Sequence, residues 1–196
     1  MGRWAPDARG RLEHAALELY GGRGFESTTV AEIAARAGLT ERTFFRYFAD
    51  KREVLFWGAG ALREFLVSNV EGAPAALPPI EVVTAALGSA ADEFFEERHD
   101  LARQRQVIIN ANPELQEREL IKLSFLASAV ADALRRRGVG DPTSSLAAEA
   151  GIAAFRIAFE AWVQDAGGRT LSEGIRACVD ELGCLTRGRR AAPPHG

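Results

Sequence analysis

The sequence predicts an all-α fold, and three observations carry that expectation. Apolar residues recur at spacings of three and four along most of the 196 residues, which marks helices with one buried face. No stretch shows the period-two alternation of a half-buried strand. Glycines, prolines and capping residues interrupt the pattern at intervals of helix length.

Each element follows from its own residues. Leu12, Ala15, Ala16 and Leu19 give the first stripe, expected to stop at Gly21-Gly22. Val30, Ile33, Ala34 and Ala37 repeat it, opened by a Thr29/Glu32 capping box and closed by Gly38. Thr40 caps a short third helix reaching Phe48, and Asp50 with Glu53 reads as another capping box, opening a fourth helix over 51–70. A loop follows with Gly72, Pro74, Pro78 and Pro79. Ile80, Val83, Leu87, Ala90 and Phe94 make the next stripe. Asn112-Pro113 is a cap followed by a first helical position, and Leu120, Leu123, Ala127, Val130 and Leu134 carry that helix to Gly138. Ser144 or Ser145 opens a helix ending at Gly167-Gly168, and Leu171, Ile175, Cys178, Leu182 and Leu185 line the last one. The expected division is a helix-turn-helix DNA-binding domain over 1–52, a larger helical ligand-binding and dimerisation domain over 53–187, and a disordered tail over 188–196.

Composition narrows the function classes. The chain is 47% hydrophobic and 26% charged, ordinary for a folded protein. Its apolar runs fall far short of the roughly 18 residues that span a bilayer. The first 20 residues carry charges throughout, so no signal-peptide core is present there; the expectation is a cytoplasmic protein with no membrane partner. Cys178 and Cys184 cannot build a disulfide framework, and three histidines leave little material for a metal site. The net charge is −3, yet residues 1–52 hold nine Arg/Lys against seven Asp/Glu, a local net of +2. That asymmetry is weak by itself.

The informative stretch is 24–55. A helix, a tight turn at Gly38-Leu39 and a second short helix form a helix-turn-helix, whose second helix fits a major groove. Phe44 and Phe48, at i and i+4, are expected to pack inward against Val30, Ile33 and Leu19. Glu41, Arg42, Phe45 and Arg46 then project outward. Arg42 or Arg46 could donate a fork of hydrogen bonds to guanine, Phe45 could touch a thymine methyl, and Glu41 could accept from cytosine or repel wrong sequences. Thr29, Thr40, Thr43, Tyr47 and Lys51 sit at helix starts or rims, where phosphate contacts are usual. An ordinary solvated face is the plainer reading of Glu41 and Arg42 taken alone.

The run Gly24-Phe25…Thr28-Thr29-Val30-x-x-Ile33-Ala34-x-x-Ala37-Gly38-Leu39-Thr40-x-x-Thr43-Phe44-Phe45-x-Tyr47-Phe48-x-x-Lys51-x-x-Val54-Leu55 closely resembles the DNA-binding domain of TetR-family transcriptional regulators, over about residues 9–57. The resemblance implies a homodimeric repressor that binds a palindromic double-stranded operator and whose larger domain takes a small-molecule effector. Arg46 departs from the histidine or other polar or aromatic residue of many members, which bears on the operator read and not on the fold.

In the C-terminal part, Ala147, Gly151, Ala154 and Ala158 form a small-residue stripe, and Ile152, Phe155, Phe159 and Trp162 an aromatic one, on the same helix. A helix apolar on two sides must be covered on two sides. One face is expected to meet a second copy, with Ile175, Cys178 and Leu182 of the last helix, in a four-helix dimer interface; burial within one subunit is the alternative. The segment Arg103-x-Arg105…Asn110-x-Asn112-Pro113-Glu114-Leu115…Arg118-Glu119…Lys122 resembles C-terminal domains of mycofactocin-type regulators, whose proposed ligands include acyl-coenzyme A thioesters. That resemblance implies an acyl chain among Phe65, Phe94, Phe125, Phe155 and Trp162, with Arg98, Arg103 or Arg105 near phosphates. The plainer reading is core aromatics and solvated arginines.

Two other classes compete. Glu96-x-x-His99 has the spacing of a carboxylate-bundle metal ligand pair, but such a site needs a second copy and two more glutamates. No phosphate-binding glycine loop, nucleophile elbow or Cys/His pair is present, so neither an enzyme nor a cofactor is expected. A helical protein-interaction module that has lost DNA binding is the remaining alternative, and the basic residues Arg42, Arg46, Lys51 and Arg52 argue against it.

Overall fold

In the computed structural model, residues 8–165 and 168–186 are described, and they form nine α-helices. The expected disordered tail and Gly167 lie outside the described residues. The chain divides into two compact units, one comprising the chain up to Gly60 with Asp100–Lys122, the other Ala61–His99 with the chain from Leu123 onward.

The first unit begins with α1 (Ala8–Arg23), which runs past Gly21-Gly22 and turns at Gly24. Then come α2 (Val30–Arg36) and α3 (Glu41–Tyr47). Thr29 caps α2 as expected: its hydroxyl accepts from the Glu32 amide while the Glu32 carboxylate accepts from the Thr29 amide. Those bonds hold the Glu32 carboxyl below its usual range, with Arg23 adding to the effect. Gly38 turns the chain between the two helices in the left-handed conformation (φ +66°), which side chains resist, and Arg11 Nη1 donates to the Ala37 carbonyl at the end of α2. Leu12, Ala16, Tyr20, Phe25, Ile33, Phe44 and Phe48 share one core with Val54, Phe56, Ile109 and Leu115.

The fourth helix differs from expectation. Asp50 accepts from the amides of Arg52 and Glu53, as a cap does, but only a 3-10 turn (Glu53–Phe56) follows, and α4 (Ala59–Gly72) starts beyond Gly58. Val54, Leu55 and Phe56 are all buried, a three-in-a-row burial that a helix with one inward face cannot provide. The unit also takes in α6 (His99–Asn110) and the start of α7 (Pro113–Arg136), so it is larger than the expected domain ending at residue 52. The reason is visible in the side chains. Glu53 accepts from Lys122 at 2.9 Å and from Arg118, while Arg105 donates to the Leu55 carbonyl (2.7 Å) and to Glu119 (3.0 Å). Partial burial opposes ionisation of Glu53, but Lys122 and Arg118 outweigh it and hold the carboxyl below its usual range; burial lowers the pKa of Arg105.

The second unit is built from α4, α5 (Pro79–Phe94), most of α7, α8 (Thr143–Gln164) and α9 (Leu171–Thr186). Pro79 takes the first turn of α5, where a missing N–H costs nothing. Gly138 ends α7 with φ +89°, its amide on the Arg135 carbonyl and the Val139 amide on that of Leu134. Helices α5, α8 and α9 pack together through small residues: a β-carbon on Gly151 would lie 2.3 Å from Val83, and one on Gly174 would lie 3.3 Å from Ala158. The expected dimer stripe is therefore interior. Ala147, Gly151, Ala154 and Ala158, with Ile175 of α9, are buried within the chain, and the aromatic face of α8 is buried too. Of the expected interface residues, Leu182 (37% exposed) and half-buried Cys178 reach the surface. Helix α8 has a third apolar strip, at 146, 153, 157 and 161, and this is the one left open. The alternation of alanines around α8 hid which face turns inward.

Candidate nucleic-acid interface

Helix α3 has only seven residues and depends on its cap and its neighbours. The Thr40 hydroxyl accepts from the Thr43 amide at 3.2 Å and pairs with the Thr43 hydroxyl at 3.0 Å. Phe44 and Phe48 anchor the helix from below, their rings 5.4 Å apart and both buried, as the i, i+4 spacing predicts. That anchoring turns Glu41, Arg42, Phe45 and Arg46 outward. All four are exposed, and Phe45 keeps 54% of its surface open, an apolar ring held in water by the edge of Phe44. Among the described residues, Arg42 and Arg46 are in no ion pair, whereas Arg23 and Arg36 are paired with Glu32 and Glu18. The outer face of α3 thus offers uncompensated guanidinium groups, a carboxylate and an apolar ring in one short helix. This is the donor, acceptor and methyl-contact set that reads base edges.

The rim residues divide. Thr29 and Thr40 are exposed and spend their side-chain oxygens on helix caps, accepting from the amides of Glu32 and Thr43. Tyr47 is half-buried, and its hydroxyl accepts from Arg46 Nη2 at 3.2 Å. Lys51 is engaged differently from the expected phosphate contact. Its ammonium donates to the carbonyls of Phe25 (2.9 Å), Glu26 (3.2 Å) and Thr28 (3.1 Å) and sits 4.3 Å from the centre of the Phe25 ring. An ammonium has three protons, and all three are used inside the fold. Tyr20 completes this corner by donating to the Lys51 carbonyl at 2.6 Å; burial, then the Asp50 charge, push its phenol pKa upward. Neither Tyr20 nor the carbonyl cluster was visible as a partner for Lys51, because the contact spans more than 20 residues of sequence.

The expected ligand residues fall into separate groups. In the second unit, Phe65 and Phe94 meet edge to face at 5.2 Å. Phe155 and Trp162 join through Phe159, with Phe95 against Phe155 and Phe159. Sequence reasoning passed over Phe95 and weighed His99 only as half of a metal ligand pair; the His99 ring lies 4.5 Å from that of Trp162 and its Nε2 is 2.9 Å from the Trp162 carbonyl. Glu96 accepts from the Leu171 amide at 2.8 Å, so the Glu-x-x-His pair bonds the end of α8 and the start of α9. Among the described residues no group of three or more His, Cys, Asp or Glu is placed to hold a metal. Phe125 is 67% exposed and packs as no pocket wall does, and Arg98 and Arg103 are exposed, Arg103 within the first unit. An open groove of about 560 Å³ runs along α8 and α9, lined by Ile157, Ala161, Trp162, Arg169, Cys178 and Glu181 among others. No helix of the described residues is long and apolar enough to cross a membrane.

Comparison with known proteins agrees with this geometry. Residues 13–56 match the family described as bacterial regulatory proteins, tetR family, and residues 77–184 match the MftR C-terminal domain. The chain is 26% identical over 190 residues, 93% of each chain, to a protein of Mycobacterium tuberculosis described as a mycofactocin biosynthesis transcriptional regulator, MftR. It is 38% identical over 78 residues to the HTH-type transcriptional regulator TcmR of Streptomyces glaucescens, a match covering 40% of this chain and 34% of TcmR. Among solved structures, the fatty acid degradation regulator FadR of Bacillus halodurans superposes with a TM-score of 0.63 at 18% identity, covering 97% of this chain and all of that one. The Thermus thermophilus FadR repressor, solved with lauroyl-CoA, gives 0.53 at 24% identity, covering 96% and 99%. At these identities the structures share the fold.

Proposed function

Because the chain belongs to the tetR family of bacterial regulatory proteins and carries a C-terminal domain of the MftR type, we propose that this transcriptional regulator is a repressor that sits as a homodimer on a palindromic operator and leaves it when a small amphipathic molecule binds. The observation that carries the DNA half is α3: a capped, aromatic-anchored helix whose Arg42, Phe45 and Arg46 face outward with Glu41 and no internal ion pairs to the arginines. Thr29, Thr40, Thr43 and Tyr47 flank it as phosphate-facing positions. Lys51 holds the turn that presents them. In this reading two heads enter successive major grooves, roughly 34–36 Å apart.

The dimer is supported by the open apolar strip on α8 (Leu146, 65% exposed; Ile157, 53%) together with Leu185 on α9 (66%), since side chains of this size are usually covered. The effector is supported by the concentration of aromatic side chains in the second unit, with Phe65, Phe94, Phe155 and Trp162 as apolar wall candidates. The lauroyl-CoA bound by the Thermus thermophilus relative suggests an acyl-coenzyme A as the first class to try.

Selection of bound fragments from sheared bacterial DNA, followed by sequencing, tests the reading. Recovery of half-sites about one helical turn apart supports it. Failure to enrich any sequence overturns it and favours an interaction module built on the same fold. Calorimetry against a panel of acyl-coenzyme A thioesters, with Phe94→Ala and Trp162→Ala, tests the effector; binding that both variants leave unchanged overturns the assignment of these walls.

A further inference from the structure

The exposed apolar side chains of α8 and α9 have an occupant in the proposed dimer, and a second set stays open. Val107 on α6 (64% exposed) and Leu120, Ile121 and Phe125 on α7 (59%, 43% and 67%) stand in water, where side chains of this size are usually covered. Gln106 donates to Glu119 at 3.2 Å, which fixes the register of α6 against α7, and the residue after each, Val107 and Leu120, turns outward. Helix α7 is unbroken from Pro113 to Arg136, so Ile121, Ser124, Phe125 and Ser128 follow one another along its outer face at helical spacing. Between Glu117 and Asp132 every exposed residue of α7 is uncharged. The Ser128 hydroxyl donates to the Ser124 carbonyl at 3.0 Å, so it can leave water without losing its hydrogen bond.

A neutral strip does not suit nucleic acid, which binds through its phosphate charge. The outside of a helix is convex, whereas sites for small molecules are concave. The strip instead matches another of its own kind, because bulky and small side chains alternate along it. An antiparallel copy, related by a two-fold axis passing between Ser124 and Phe125, sets Ile121 of each chain against Ser128 of the other and brings the two Phe125 rings together. The patch is small. Its four large side chains, none fully open, fall well short of the roughly 1,200 Å² that a stable interface buries, so this face is not what first pairs the chains. We propose that the outer face of α6 and α7 docks on the same face of a second copy and joins two dimers into a tetramer. This rests on the dimer reading above and adds a second, weaker interface to it. On DNA such a contact fills neighbouring operators together.

Sedimentation equilibrium of the full chain, from micromolar to near-millimolar protein, tests this. The wild-type mass is expected to correspond to two chains at the low end and to rise toward four at the high end. Phe125→Glu is expected to move that rise about tenfold or more upward in concentration while leaving the two-chain species in place. Ser128→Leu makes the strip more apolar but fills the place that Ile121 of the second copy takes. It is therefore expected to weaken the rise, whereas indiscriminate stickiness would strengthen it. Leu77→Glu changes an exposed apolar side chain outside the strip and is expected to leave the rise alone. All three positions are exposed, and circular dichroism melting checks that each variant is folded. A wild-type mass that stays at two chains throughout overturns the docking alone and leaves the strip to a different protein. A rise that Phe125→Glu does not move, or that Ser128→Leu strengthens, overturns it as well. A wild-type protein of one chain at every concentration overturns the dimer reading and the docking with it.

Discussion

A β-carbon added to Gly151 would stand 2.3 Å from Cγ1 of Val83 and 3.3 Å from Cδ1 of Leu87, so α8 passes α5 at a point where only a hydrogen fits. Val83 is β-branched and buried, with one preferred rotamer in a helix, and cannot swing aside. Gly151→Ala gains about 1 kcal/mol of helix propensity but is expected to destabilise the second unit by about 1–3 kcal/mol through overpacking. Chemical denaturation measures the balance. Val83→Ala in the same chain is expected to restore part of the loss, and a double-mutant cycle with no coupling would contradict the contact.

Glu53 makes a different kind of prediction. Lys122 and Arg118 hold its carboxyl below the usual range against the opposing effect of partial burial. A depressed pKa stabilises the fold fully above the unfolded value, near pH 4.3 for a glutamate, and that contribution is lost as pH falls through the folded value. Glu53→Gln is expected to cost about 2 kcal/mol near neutral pH. The difference from wild type is expected to shrink below about pH 4. A gap in urea midpoint that stays constant from pH 7 to pH 3 would rule out the carboxylate as the cause.

For Lys51 the expected loss is in folding. Its three bonds to the Phe25, Glu26 and Thr28 carbonyls tie the turn between α1 and α2 to the turn after α3. Lys51→Ala leaves three carbonyls short of a donor, and a loss of about 2 kcal/mol is expected. The salt slope of DNA binding is expected to match wild type at temperatures where the variant is folded. A stable variant with a reduced slope would return Lys51 to the phosphate contacts.

The exposed strip on α8 sets the fourth expectation. Ile157→Glu and Leu185→Glu change open side chains and are expected to leave monomer stability within about 0.5 kcal/mol. They are expected to halve the mass seen by sedimentation, by placing like charges across a two-fold interface. A dimer that survives both would move the interface to another surface.

Local chemistry was legible in the sequence, and long-range choices were not. Thr29 with Glu32, Gly38, Asn112-Pro113 and Gly138 act within four residues of themselves, and each helix end they mark is where they put it. Asp50 and Glu53 carry the same signature as Thr29 and Glu32. The difference is that the Glu53 side chain is taken by Arg118 and Lys122, 65 and 69 residues away, so no capping box closes. Helix α8 was recognised as apolar on more than one side. Which side turns inward depends on Val83, Leu87 and Gly174, and no pattern within α8 names them. On α3 the outward set followed from the spacing of Phe44 and Phe48, whereas the placing of the Arg9 guanidinium 5.3 Å from the centre of the Tyr47 ring depends on how α1 passes it.

Gly38 narrows the mutational paths open to this gene. Its left-handed backbone is tolerated by few residues besides glycine, chiefly asparagine and aspartate. A single base change in a glycine codon reaches alanine, valine, serine, arginine, cysteine, tryptophan, glutamate or aspartate, and never asparagine. Aspartate is therefore the one tolerated neighbour a single step away, and at this position it would emerge 3.8 Å from Arg11 Nη1, a guanidinium able to receive it. Drift at residue 38 is expected to be confined to that one exchange.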